Sequence, residues 1–565
     1  MRYLALATDY DNTLASDGRL SGPTRAALKR LRASGRRVIL VTGRRLDDLL
    51  AVCDCDDLFD YIVAENGALV HDPRTRQTTL LAGPPPAPFI AALRARGVEP
   101  LEIGQVIVAT HTPHEAQVMD AIRELGLELQ LIFNREAVMV LPPGINKASG
   151  LKLALRKLGM SPHEVVAVGD AENDHSFLLL AECAVAVANA VDSIKEIAAF
   201  TTQGEAGSGV VELIDHLLVN DLDDLDQELA RRHIAIGMRT DGTTVWLPPY
   251  GLNILVAGTS GSGKSTLATG LIERFAWQMY QLCVIDPEGD YVNLKTLVTI
   301  GDQHHAPGIA EMMAVLRDPY VHANACLLGV ALADRPAYFA ELVSHLHTMR
   351  MRTGRPHWLV VDEAHHLLPK HWGHPPRWLR ETVFITVHPG HLSPHVLESI
   401  DVVIATGKTV NQTLCEFATA IGQLPAALVD SPNGPGDAAC WFPKSGQDPF
   451  LIRAIPGQAE RIRHHRKYAE GDVRYHSFYF RGPVGKHNIK AQNLHVFCQI
   501  AAGIGEETWM YHLRRHDYSR WMRDVIKNPD LATEVEDIEN RHDLDAHQTR
   551  VRICAAVGAR YTLPE

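Results

Sequence analysis

Asp9 and Asp11 close a short apolar run, Leu4-Ala5-Leu6-Ala7-Thr8. Spaced i, i+2 at the end of a strand, the two side chains share one face, at the carboxyl edge where open α/β sheets place ligands. Two carboxylates this close repel each other unless a cation sits between them, and a set of oxygen ligands suits Mg²⁺. One carboxylate can then attack a phosphorus atom while the other gives and takes the proton.

Three further groups of polar residues sit where such a reaction needs them. Thr42-Gly43-Arg44 closes the apolar run Val38-Ile39-Leu40-Val41, Lys147 precedes a helical stretch, and Gly169-Asp170-Ala171-Glu172-Asn173-Asp174 follows Val165-Val166-Ala167-Val168. In this order they resemble the four motifs of the haloacid dehalogenase (HAD) phosphatases, over roughly 215 residues. The resemblance implies roles. Asp9 would be the nucleophile that forms an aspartyl-phosphate. Asp11 would protonate the leaving oxygen and then activate water. Thr42 and Lys147 would hold phosphate oxygens, with Lys147 also neutralising charge. Asp170, supported by Asp174, would complete a Mg²⁺ site with Asp9 and Asp11. Asn12 stands where many members have Gly, and it tolerates the left-handed backbone of that turn.

These residues need a parallel sheet to bring them to one edge. Residues 1 to about 217 alternate strands and helices, the pattern of such a sheet covered by helices. Glu65-Asn66-Gly67-Ala68 resembles the Asn-Gly turn of the Cof-type branch. Pro84-Pro85-Pro86 interrupts the alternation, and residues from about 84 to 145 hold two helical stretches and strand candidates at 105–110, 128–134 and 137–141. This insert resembles a small HAD cap, an element that closes over a site, excludes water and selects the leaving group. The caps it resembles are those of sugar-phosphate and phosphoglycolate phosphatases, which implies a small phosphorylated substrate. An acidic stretch, Asp221-Leu222-Asp223-Asp224-Leu225-Asp226-Gln227-Glu228, reads as a linker over 218–232 with a solvated face.

A second reactive group lies in the middle of the chain. A hairpin signal, Arg239-Thr240-Asp241-Gly242, precedes the run Asn253-Ile254-Leu255-Val256-Ala257. Next comes Gly258-Thr259-Ser260-Gly261-Ser262-Gly263-Lys264-Ser265-Thr266, the GxxxxGK[ST] spacing between a strand and a helix over 267–275. Gly258, Gly261 and Gly263 let backbone N–H groups turn inward on the phosphates of ATP, together with the helix N-terminus at Ser265 and Thr266. Lys264 reaches the β- and γ-phosphates and Ser265 ligates Mg²⁺. Trp358-Leu359-Val360-Val361-Asp362-Glu363 resembles a Walker B strand, which implies that Asp362 holds Mg²⁺ and Glu363 polarises water. With Asp286-Pro287-Glu288-Gly289-Asp290-Tyr291 and the hairpin, roughly residues 233–445 are similar to the HerA/FtsK-type ATPases. His388 stands where that branch usually carries a sensor Gln, and no arginine finger is identifiable.

The last segment, 457–565, carries no chemical motif. Trp509-Met510-Tyr511-His512-Leu513 and Tyr518-Ser519-Arg520-Trp521-Met522 have helical spacing. They read as an amphipathic core with its aromatics inside, in preference to a base-stacking surface.

Composition bounds the rest. At 565 residues the chain is too long for one core. A net charge of −12 argues against a surface that coats nucleic acid. No apolar run reaches the roughly 18 residues of a membrane span, and Met1 leads straight into the first strand, so a cytoplasmic protein without a signal peptide is expected. Nine scattered cysteines read as reduced thiols. The dispersed histidines lack HExxH spacing. The expected architecture is α/β: a HAD Rossmann-like sheet with a small cap (1–217), an acidic linker (218–232), a P-loop α/β domain (233–456) and a mainly helical segment (457–565). The expected activity is Mg²⁺-dependent hydrolysis of a small phosphomonoester, joined to ATP binding or hydrolysis. A HerA-like nucleic-acid motor with an end-processing phosphatase, and an ATP-sensing scaffold, are the alternatives. A homo-oligomer is also open.

Overall fold

A computed structural model describes residues 2–53, 57–229, 232–259, 262–371, 379–423, 428–430, 434, 436–457, 477–483, 485, 487–526, 528–541 and 543–561. The chain forms two compact units, residues 1–455 and 456–565.

The first unit contains two large sheets. The amino-terminal sheet has eight strands in the order Phe200–Thr201, Cys183–Ala186, Val165–Gly169, Ala5–Thr8, Arg37–Val41, Tyr61–Ala64, Leu69–Asp72, Gln77–Leu80. The first six are parallel and the last two antiparallel. Ala5–Thr8, Arg37–Val41 and Val165–Gly169 are apolar and almost wholly buried, as strands with both faces covered must be. Thr8 pairs with Val168 on one side and Leu40 on the other. Asp9, Asp170 and Thr42 therefore emerge at the same carboxyl edge.

The insert after Pro84 folds as a four-stranded antiparallel sheet in the order Glu102–Ile103, Val108–His111, Ala137–Leu141, Gln130–Asn134. Helices Ala87–Ala95 and Glu115–Glu124 cover it through Phe89, Leu93, Val118 and Ile122. The acidic stretch after Asn220 differs from a free spacer. Leu222 and Leu229 are buried in the first core, and the Asp221 carboxylate accepts from Arg36 Nη2 at 2.8 Å. Leucines spaced among the acids give the segment an apolar side to bury, which net charge alone conceals.

The second sheet has eleven strands, ordered Thr244–Leu247, Ile234–Arg239, Phe450–Ala454, Asp437–Trp441, Val402–Thr406, Asn253–Ala257, Thr382–Thr386, Trp358–Val361, Leu282–Asp286, His322–Cys326, Leu297–Ile300. The last seven are parallel and the first four join by antiparallel pairing. Thr382–Thr386 lies between the strands that end at the glycine loop and at Asp362.

Buried polar groups join the two sheets at the amino ends of their strands. Glu164 precedes Val165–Gly169, and its carboxylate meets Arg355 Nε at 3.1 Å, two residues ahead of His357 and the Trp358–Val361 strand. Arg355 Nη2 also donates to the Gly159 carbonyl at 2.7 Å. The His163 ring stacks on Tyr280 with centroids 3.8 Å apart, and its nitrogens lie 2.6 Å from Glu182 Oε2 and 2.8 Å from the Gln278 carbonyl. Glu182 further meets Arg232, Arg2 and the Tyr280 hydroxyl at 3.3, 3.4 and 3.3 Å.

The second unit is mainly helical, with one short antiparallel pair, Phe478–Phe480 and Ile489–Ala491. Trp509 and Tyr518 stack at 4.4 Å, and both are buried with Phe497 and Trp521. Trp509 Nε1 donates to Thr549 Oγ1 at 3.0 Å. These aromatics fill a core and are not offered to bases.

Removing Glu182 takes the shared acceptor from buried His163, the Tyr280 hydroxyl and part-buried Arg232 and Arg2. Glu182→Ala is expected to cost about 3–5 kcal/mol, read as a fall in the urea unfolding midpoint at pH 7. Burial works against the Glu182 charge, but His163, Arg232 and Arg2 outweigh it and hold the carboxyl down at about 2. Its folded value thus lies below its unfolded one, so its contribution is complete above about pH 4.5 and fades as pH falls toward 2. The gap between wild type and variant should narrow over that window.

Candidate active site

Asp9 leaves the end of its strand with its N–H bonded to the Val168 carbonyl at 3.0 Å. The chain then turns through Asn12, whose φ of 56° is left-handed. Lys147 is the first residue of helix Lys147–Leu158, capped by Asn146 in a reciprocal box with Ser149. Gly67 and Gly150 let this helix press on the Tyr61–Ala64 strand: a Cβ on Gly67 would stand 1.8 Å from the Asn146 carbonyl oxygen, and one on Gly150 2.4 Å from Val63. The close approach seats Lys147, only 1% exposed, beneath the strand ends.

Lys147 Nζ lies 2.5 Å from Asp9 Oδ1 and forms a second ion pair with Asp174. Asp174 Oδ2 accepts from the backbone N–H groups of Asp170 and Ala171 at 2.8 and 2.9 Å. Asp170 accepts from Thr13 Oγ1 at 2.9 Å and Arg135 Nη2 at 2.7 Å. Ligand atoms of Asp9, Asp170 and Asp174 all lie within 4.8 Å of one another, and all three residues are buried. Burial drives the Asp9 carboxyl well above its ordinary value, against Lys147 and helped by Asp174 and Asp170. Burial and then Asp174 push Asp170 up to about 6. For Lys147, burial opposes the charge, yet Asp174 and Asp9 overcome it and raise its pKa. Three carboxylates converge here beside Lys147 and Arg135, and an all-oxygen donor set suits a hard divalent cation. The residues fit Mg²⁺.

Asp11 takes a different place from the one its spacing implies. Arg44 grips its carboxylate in a fork, Nε at 2.7 Å and Nη2 at 2.6 Å, so Asp11 stands outside the three-carboxylate cluster. It still lines a cavity of about 220 Å³, with Asp9, Asp170, Gly43 and Arg44 on the core side. Thr42 is buried behind that wall, its Oγ1 accepting from the Arg44 N–H at 3.1 Å. The insert forms the opposite wall through Thr110, His111, Asn134 and Arg135. Sequence reasoning missed these four; a polar hairpin tip on an inserted sheet was the available signal.

Glu65 fixes the insert to the core. Its Oε1 accepts from Gln105 N–H at 2.8 Å, and its Oε2 accepts from Val106 and Ile107 N–H at 2.8 and 3.0 Å.

The second site lies at the carboxyl edge of the eleven-stranded sheet. Gly258 has φ 152°, and a Cβ there would meet the Thr406 carbonyl oxygen at 2.4 Å. Gly263, with φ 99°, starts helix Lys264–Trp277, whose first residues are Lys264, Ser265 and Thr266. Lys264 Nζ donates back to the Gly258 and Thr259 carbonyls at 2.7 and 3.0 Å. Burial lowers its pKa, while Glu363 and Asp362 draw it upward. Asp362 is raised well above its ordinary value by burial and by Asp290 and Glu363. Glu363 adopts a left-handed conformation, and among the described residues its buried Oε2 has no hydrogen-bond partner, although His365 Nδ1 stands 3.4 Å away. That carboxylate, a buried lysine and a glycine, Gly258, that a side chain would block together fit a nucleotide phosphate with its cation. Gly261 lies outside the described residues. His388 follows Thr386, bonded to it through its N–H at 3.3 Å.

Residues 6–82 and 99–214 match the family model of haloacid dehalogenase-like hydrolases, and residues 252–330 match that of the helicase HerA central domain. Two relatives align with the amino-terminal part. The phosphoglycolate phosphatase of Methanothermobacter thermautotrophicus is 29% identical over 219 residues, 37% of this chain and 96% of its own length. Phosphoglycolate phosphatase 2 of Saccharolobus solfataricus is 30% identical over 226 residues, 38% of this chain and 92% of its own. Among solved structures, a haloacid dehalogenase-like hydrolase from Bacteroides thetaiotaomicron aligns at 19% identity over 38% of this chain and 99% of that one, with a TM-score of 0.34.

The Glu65 clamp has a direct readout. In Glu65→Ala, amide hydrogen exchange at residues 105–107 should quicken by about 10- to 100-fold, the loss expected for bonds to a charged acceptor. Exchange unchanged from wild type would mean that other contacts hold the insert in place.

Proposed function

Starting from a chain that belongs to the haloacid dehalogenase-like hydrolases and carries a HerA-like segment behind that part, we propose a Mg²⁺-dependent phosphatase of small phosphomonoesters joined to an ATP-binding and ATP-hydrolysing domain. The observation that carries the first half is the buried cluster of Asp9, Asp170, Asp174 and Lys147, of which Asp9 and Asp170 line a half-open cavity. At about 220 Å³ the cavity is smaller than a typical drug-sized site, which suits a substrate of a few carbons. The relatives named as phosphoglycolate phosphatases support a substrate of that size.

In this reading Asp9 attacks phosphorus, the bond to the leaving oxygen breaks, and Asp11 gives that oxygen its proton. Asp11 then takes a proton from water, whose oxygen attacks the phosphorus of the aspartyl-phosphate. Inorganic phosphate leaves and Asp9 is restored. Arg44 holds Asp11 over the reacting atoms as it changes protonation. Lys147 stays charged beside Asp9, where phosphoryl charge develops, and Thr42 supports the loop at Gly43. Mg²⁺ held by Asp9, Asp170 and Asp174 would neutralise carboxylate and phosphoryl charge. The insert excludes water. In the second domain Lys264, Ser265 and Thr266 with the glycine loop would hold ATP and its Mg²⁺, Asp362 would support the ion, and Glu363, with its unsatisfied oxygen, would polarise water.

Asp9→Asn keeps the side-chain shape and removes the attacking charge. Phosphate release from p-nitrophenyl phosphate with Mg²⁺ should fall by at least about 10³-fold, while calorimetric ATP binding is unchanged. Retained turnover in that variant would remove Asp9 from its role. Lys264→Ala should abolish ATP binding, whereas Glu363→Gln should bind ATP and fail to hydrolyse it; a wild type that binds no nucleotide in the same titration would rule out the second half of the proposal.

A further inference from the structure

The carboxyl-terminal unit has no chemical motif, yet it brings together two cysteines that the sequence keeps far apart. Cys498 lies on helix Leu494–Gly503 and Cys554 on helix Ala546–Tyr561. The two helices pack against each other, and both cysteines lie against the core that holds Phe497, Trp509, Ile553 and Val557. Their thiols are hydrogen-bonded to each other, the Cys498 S–H donating to the Cys554 sulfur.

Their surroundings set them apart from other cysteines of the chain. Cys53, Cys183, Cys283, Cys326 and Cys440 are buried, whereas Cys498 and Cys554 are partly exposed. Burial pushes the Cys283 and Cys440 thiols up to about 12, so they stay protonated and inert. Cys554 is shifted the other way. The hydrogen bond from Cys498 favours its thiolate, burial opposes it, and Arg550 adds to the favourable side, so its pKa is lowered. Arg550 stands one turn earlier on the same helix. Its Nη2 bond to the Ile504 carbonyl at 2.6 Å and its place over the Trp509 ring hold it there. Cys498, as the donor, is raised. One sulfur is thus prepared to attack, and the other stands beside it as a thiol.

We propose that Cys498 and Cys554 are a redox-active dithiol, which closes to a disulfide by exchange with a small-molecule disulfide. Cys554, as its thiolate, attacks one sulfur of the small disulfide. The S–S bond of that molecule breaks, and the first half leaves and takes up the proton that Cys554 gave. Cys498 then attacks the Cys554 sulfur, the mixed disulfide breaks, and the second half leaves with the Cys498 proton. Two protein thiols are oxidised to one disulfide, and the small disulfide is reduced to two thiols. The second attack is intramolecular, so closure outruns a persisting mixed disulfide. The new bond ties Leu494–Gly503 to Ala546–Tyr561 and constrains the unfolded chain between them.

The test uses the full chain, reduced, freed of reductant and exposed to oxidised glutathione at about pH 8, where a thiolate fraction is present. Alkylation and a non-reducing tryptic map follow. The peptides Ala491–Arg514 and Ile553–Arg560 carry one cysteine each. In wild type they should appear joined, with their alkylated forms reduced by at least about 10-fold. In Cys498→Ser the closing thiol is gone, and glutathione should stay on Cys554. In Cys554→Ser glutathione should reach Cys498 at least about 10-fold more slowly than it reaches Cys554 in Cys498→Ser. Wild-type peptides that remain unlinked with both cysteines alkylated would overturn the proposal. Glutathione retained on either cysteine in wild type, or a linkage of either one to Cys415, would overturn it as well. The wild-type map is decisive by itself, whatever the two substitutions do to folding.

Discussion

A single ammonium, Lys147, holds the amino-terminal site together. It is buried between Asp9 and Asp174, which come from strand ends 138 and 27 positions away in sequence. A charge of this kind is tolerated inside a protein only where its partners are fixed in place, and the fold supplies that fixity at several levels. Gly67 and Gly150 admit the helix closely enough to bring its first residue under the sheet. The Asn146 cap starts the helix at that residue. The backbone N–H groups of Asp170 and Ala171 orient Asp174. Burial, joined by the neighbouring carboxylates, holds Asp9 and Asp170 above their ordinary pKa values against the lysine. Three carboxylates gathered within 4.8 Å of one another are what give the site its capacity for a cation.

The same rule governs the junction of the two sheets. Glu164, Arg355, His163, Glu182 and Tyr280 are buried and polar, and each is paired across the junction or near it. All of them stand at or just before the amino ends of strands. Ligand sites in parallel sheets lie at the carboxyl ends, so the Asp9 cavity and the glycine loop both open away from the junction. Val165–Gly169 runs from beside Glu164 to Asp170, and Trp358–Val361 from beside His357 to Asp362.

The second site is built with less charge balance and more backbone constraint. Gly258 and Gly263 occupy conformations or spaces that deny a side chain, and Glu363 sits in a left-handed conformation at the end of its strand. Lys264 Nζ donates to two loop carbonyls, those of Gly258 and Thr259. Local strain of this kind is characteristic of sites organised for a ligand.

Much of this was legible in the sequence because it depends on short-range rules. Apolar runs that end in Asp9, Thr42, Asp170, Gly258 and Asp362 are strands whose carboxyl ends bring the candidate residues to the edges of their sheets. The glycine spacing before Lys264 and the Asn-Gly turn at Asn66 are local as well. Tertiary structure decided what depends on distant partners. Asp11 has the spacing of a metal ligand, yet Arg44 draws it out of the cluster. Leu222 and Leu229 look like interruptions in an acidic spacer until a core exists to bury them. Trp509, Tyr518 and Trp521 have a spacing that suits either a surface or a core, and only packing settles which. His111, Asn134 and Arg135 belong to no motif; they gain meaning from a cavity wall formed when an inserted sheet meets the strand ends of another. The reason is physical. The energy of a buried polar group is set by the partners it meets and not by its own type, and those partners are neighbours in space and not in sequence.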